Sequence, residues 1–91
     1  MNQLEFKTES GKLLSDLRGM LPRWHALKKA TKEKDLAKHL RKAEAGVKDV
    51  LTGKLRFTSA ERAKHVELIK VVVDAERNLL EYCETHPEEA A

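Results

Sequence analysis

Cysteine, proline, glycine and aromatic side chains are all scarce in this 91-residue chain, which has one, two, four and four of them, the aromatics counted as Phe, Trp and Tyr. With Cys83 alone, no intrachain disulfide can form and a cysteine-rich metal site is excluded. The four histidines, His25, His39, His65 and His86, lack the spacing of three or four that puts two metal ligands on one helical turn. Gly11, Gly19, Gly46 and Gly53 are scattered, so there is no glycine-rich loop to cradle a phosphate. Ser10, Ser15, Ser59 and Cys83 have no base and orienting residue arranged beside them, as an activated nucleophile needs. No apolar run approaches the length of a membrane span, and Met1 to Phe6 has no apolar leader core. These absences predict a cytoplasmic protein that is not an enzyme and holds no cofactor and no metal.

Hydrophobic residues make up 41% and charged residues 36% of the chain. Abundant Ala, Leu, Lys and Glu with little Gly predict an all-α fold. The length fits a single domain over 1–91, with a tail expected to fray from about Pro87. The expected architecture is a small helical bundle of three or more helices built on a long antiparallel helical hairpin.

The longest element is predicted over Thr58–Glu84, without internal Gly or Pro. Thr58-Ser59-Ala60-Glu61 fits the capping box, and His86-Pro87 turns the chain out of helix. At about 100° per residue its apolar side chains divide into two adjoining stripes. One holds Val66, Ile69, Val73 and Leu80, the other Leu68, Val72, Ala75, Leu79 and Tyr82. Two stripes require neighbours on two sides, so this helix is expected either at the centre of the bundle or shared with a partner. His65 and Glu76 edge the apolar arc and are expected to keep their polar ends wet or paired.

A second helix is predicted over 32–51, with Thr31 as its cap and Gly53 just past its end. Leu36, Leu40, Ala43, Val47, Val50 and Leu51 form its apolar stripe, and Leu55 and Phe57 are expected to turn back into the core. The N-terminal region is read in two pieces. Ser10 is a candidate cap for a short helix around Leu13, Leu14 and Leu17 that ends near Gly19, and Pro22 suits the first turn of a further segment to about Ala30. Whether residues 2–9 join the first piece stays open at this level.

Charge is unevenly spread. Residues 1–57 hold 14 Lys and Arg against 7 Asp and Glu, and residues 58–91 hold 4 against 8. Mutual attraction of the two segments explains the split without a partner. The sharper alternative is a basic surface for nucleic acid, with Lys34, Lys38, Arg41, Lys42 and Lys48 as the contacts to phosphate. Glu33, Asp35, Glu44 and Asp49 are interleaved, and Glu44 with Lys48 has the spacing of an ordinary solvated helix pair.

One short run, His39-Leu40-Arg41-Lys42-Ala43, is similar to the histidine phosphotransfer pattern, in which a helical His is followed by Lys three positions on and a small residue four on. That resemblance would imply a phosphate-accepting His39 steadied by Lys42. Arg41 stands where that family has an apolar residue and Ala43 where it prefers Gly, and only five residues are covered.

The function expected from these residues is protein binding, as a small adaptor, inhibitor or chaperone-like regulator, with self-association as a homodimer. The expected interface is Val72, Ala75, Leu79, Leu80 and Tyr82, because the helix over 58–84 is longer than its expected partner over 32–51 and its last turns overhang.

Overall fold

In the computed structural model the described residues are 1–87. They form three helices, α1 (Gln3–Ala26), α2 (Ala30–Leu51) and α3 (Ser59–Thr85), with no strand among them. The molecule is a rod of 46 × 17 × 15 Å. Beyond Pro87 the expected frayed tail lies outside the described residues.

The N-terminal region is one helix. Asn2 caps it, its side chain accepting from the Glu5 N–H while Glu5 reaches back to the Asn2 N–H. Ser10 is therefore not a cap. It lies fully buried inside α1, and its hydroxyl donates to the Phe6 carbonyl at 2.5 Å, which satisfies it within its own helix. Gly11, Gly19 and Pro22 sit inside the helix and do not break it. Pro22 is exposed, on the face where a lost backbone bond can be made good by water. Burial of Phe6, Leu14, Leu17, Met20 and Trp24 along one side outweighs these local penalties.

The turn between α1 and α2 is tight, with Lys28 in the left-handed region at φ 57°. Lys29, not Thr31, occupies the cap position of α2, and it makes no side-chain cap bond. The α2–α3 loop opens with Gly53 at φ 82°, as the glycine there predicts, and closes with the Thr58–Glu61 capping box.

Three ties set the direction of α3 against α1. Arg62 donates to the Met1 carbonyl at 2.8 Å, Arg77 reaches Asp16 at 3.3 Å, and Arg23 grips Glu84 through two bonds of 3.0 and 2.5 Å. The two helices run parallel, with α2 antiparallel between them in sequence. The central place belongs to α1, which packs along both other helices, whereas α2 and α3 approach each other in few places. Glu44 turns away from Lys48 and bonds Arg18 on α1 at 3.1 Å, so the expected i,i+4 pair is replaced by a tie between helices.

The core takes Leu36, Leu40, Val47 and Val50 from α2 and Val66, Ile69, Val73, Leu80 and Cys83 from α3. Phe57 packs against it from the loop. Leu51 and Leu55 do not join it and stay partly exposed, Leu51 as the last residue of α2 and Leu55 in the loop beyond it.

Candidate functional site

The first α3 stripe, Val66, Ile69, Val73 and Leu80, is buried in the bundle. The second is not. Leu68 is 57% exposed, Val72 39%, Leu79 41% and Tyr82 49%, and Ala75 between them is exposed too. The spacing of these five alternates four, three, four, three, which is the a/d repeat of a two-stranded helical seam. It spans about 20 Å of helix. Val71, on the outer flank, is 64% exposed and widens the apolar surface.

Of the residues expected at the interface, Val72, Ala75, Leu79 and Tyr82 lie on this surface. Leu80 does not: it is fully buried. One residue is a turn of about 100°, and that step carries Leu80 from the seam of Leu79 into the core.

The seam borders a groove of about 520 Å³ between α2 and α3. Leu68, Ile69, Val72 and Ala75 form its α3 wall, and His39, Lys42, Ala43 and Gly46 form its α2 wall. It is open where α2 and α3, both packed on α1, approach each other in few places. Two cross-links bridge it. His39 Nδ1 and Glu76 Oε1 lie 2.6 Å apart, an ion pair when the ring is protonated. Nearer the loop, the His65 ring packs 6.0 Å from Phe6 and edge-on at 5.6 Å from Phe57. The ring also fills the space opposite Gly46, where an added Cβ would meet it at 3.6 Å. His65 Nε2 is buried without a hydrogen-bond partner. Glu76 is thus paired, as its position at the edge of the apolar arc predicts.

Lys34, Lys38, Arg41, Lys42 and Lys48 are all exposed on α2 and make no ion pair with a described residue. Lys42 lines the groove, and Lys38, one turn away, continues its outer lip. Of the five, Lys42 alone lines the groove, so the sequence's basic row and apolar seam meet there at one cation. Two interleaved acids point elsewhere, Glu44 to Arg18 and Glu33 to His25 at 3.2 Å. No group of three or more potential metal-binding side chains exists among the described residues. No described helix is long and apolar enough to cross a membrane.

Two carboxyls at the ends of α3 are held below their ordinary range. Glu61 accepts the Thr58 backbone N–H and then its hydroxyl, and Glu84 accepts the Arg23 guanidinium, all of which favour the ionised form. Both serve the termini of the bundle, away from the groove.

Sequence reasoning missed the α2 wall. His39, Ala43 and Gly46 carry no local signal of a groove; only the tertiary approach of α3 assembles them. No known protein family, curated protein or solved structure matches the chain.

Proposed function

We propose that the protein is a non-enzymatic binding module that takes an amphipathic helix of a protein partner into the groove between α2 and α3. The observation that carries this reading is the second α3 seam: Leu68, Val72, Ala75 and Leu79 at successive a/d positions are exposed, and Tyr82, stacked on His86 at 4.3 Å, ends the row. Apolar surface at this spacing beside an open groove fits the helix-in-groove mode, and a helix laid there would complete a four-helix bundle. The unpaired Lys38 and Lys42 on one lip favour a helix with acidic residues along one edge. An adaptor, an inhibitor or a chaperone-like regulator would each use such a surface.

A displayed library of helical peptides tests the reading. The expected result is enrichment of peptides with an i, i+3, i+4, i+7 apolar stripe and an acidic flank, lost when Val72→Glu and Leu79→Glu are combined. Equal enrichment by wild type and variant would reject the groove.

A second reading rests on the same unpaired cations: a nucleic-acid-binding regulator whose Lys34, Lys38, Arg41, Lys42 and Lys48 contact phosphates. A mobility-shift assay at two salt concentrations separates the two. Steeply salt-dependent binding that Lys38→Gln, Arg41→Gln and Lys42→Gln together abolish, with melting unchanged, would favour it.

A further inference from the structure

We infer that the helix occupying this groove is α3 of a second copy of the chain, in a parallel and in-register twofold pair. This rests on the reading of the groove as a helix-binding site and names its occupant.

Shape gives the first argument. The groove needs an apolar ridge with heptad spacing, and Leu68, Val72, Ala75, Leu79 and Tyr82 are such a ridge on its own rim. A surface that carries both ridge and groove side by side is self-complementary, as an isologous contact requires.

Charge gives the second argument and fixes the direction. Glu67, Asp74 and Glu81, seven residues apart and all exposed, form an acidic row on the flank of the seam that faces away from α2, with Asp74 also bridged to Arg77 of its own helix at 3.2 Å. The His39–Glu76 bond and the Gly46–His65 approach set the register of α2 against α3, so that Lys38 and Lys42 bracket the level of Asp74. In a parallel pair, the twofold axis runs along the helices, and the acidic flank of one α3 lies over the α2 lip of the other. The partner's Asp74 then stands level with Lys38 and Lys42, once on each side of the dyad. An antiparallel pair would instead bring the two α2 lips together, cation against cation. Charge therefore favours the parallel arrangement over the antiparallel one, Asp35 and Asp49 notwithstanding. Between the seam and the acidic row sit Val71 and Asn78, which carry no charge.

Sedimentation equilibrium of the wild type, of Lys38→Glu/Lys42→Glu, and of those two changes combined with Asp74→Lys provides the test. A wild-type dimer in the micromolar range is expected, with at least a ten-fold weaker constant in the double variant at low salt and recovery of most of that loss in the triple variant. Circular dichroism and Trp24 emission, unchanged in all three, confirm that the fold is kept. The direction is read independently from Leu68→Cys. Its thiols, at the same end of both seams, should link covalently on mild oxidation, whereas an antiparallel pair places them about 20 Å apart along the axis. A wild type that stays monomeric at high micromolar concentration yet still takes an acidic amphipathic peptide overturns the second copy and leaves the groove reading standing. A monomer that takes no peptide removes both. A dimer whose charge swap does not recover and whose Leu68→Cys fails to link overturns the parallel arrangement.

Discussion

Leu79 and Leu80 are adjacent and chemically identical, yet the fold gives them opposite surroundings. Leu80 is fully buried in the bundle core, whereas Leu79 is 41% exposed on the outer seam. Truncating a core leucine to alanine removes its transfer energy and leaves a cavity, costing about 2–5 kcal/mol. Truncating a half-exposed leucine on a helix, where alanine is the better helix former, costs roughly 1 kcal/mol or less. A 91-residue domain holds only about 5–14 kcal/mol in all, at roughly 0.05–0.15 per residue. Leu80→Ala therefore removes a large share of the total and lowers Tm by about 8–40 °C, at about 4–8 °C per kcal/mol for this size. Leu79→Ala should lower it by less than about 8 °C. The assay is urea and thermal unfolding at low micromolar concentration, followed by circular dichroism and by the emission of Trp24, the sole tryptophan and fully buried. Working dilute keeps self-association out of the comparison. Equal losses at the two sites, or a larger loss at Leu79, would refute the division of α3 into an inner and an outer stripe.

Other outcomes follow from the same geometry. Glu61 and Glu84 have folded-state pKa values below their ordinary value of 4.5, so their contribution is complete above about pH 4.5 and is lost as pH falls through the lowered values. Arg23→Gln should flatten part of that acid-side decline in an unfolding series from pH 7 to pH 2, and an unchanged slope would show that the Glu84 tie does not contribute. Thr58→Ala should cost about 0.5–2 kcal/mol through loss of the α3 cap, read by urea midpoint. Gly46→Ala should stabilise the isolated chain by about 0.5–1 kcal/mol, because alanine is favoured in mid-helix and its Cβ would meet His65 at an ordinary 3.6 Å. The same methyl narrows the groove, so tighter folding accompanied by weaker binding is expected, and a variant that loses stability would contradict the open space drawn here.

The legible features were those written locally. The Thr58–Glu61 cap, Gly53 after α2, the His86-Pro87 stop and the two stripes of α3 all follow from short-range spacing. The N-terminal helix was not legible as one element, because Gly11, Gly19 and Pro22 each signal a break that only tertiary burial of Phe6, Leu17 and Trp24 overrides. Ser10 read as a cap because serine satisfies a helix start and a buried i−4 carbonyl equally well. The central role of α1 was also hidden. The two stripes of α3 called for two neighbours, and nothing local tells which stripe α1 covers or that the other stays bare. The α2 wall of the groove and the His39–Glu76 bridge depend on helix approach, which no local periodicity encodes.

Solvent paramagnetic relaxation of the methyl groups, with a soluble gadolinium chelate and a dilution series, addresses the two faces of α3 directly. In dilute solution the methyls of Leu68, Val71, Val72 and Leu79 should relax strongly while those of Val66, Ile69, Val73 and Leu80 stay protected, and protection should spread to the outer set as concentration rises. Outer methyls that are protected at every dilution would place that stripe in the chain's own core and contradict the account.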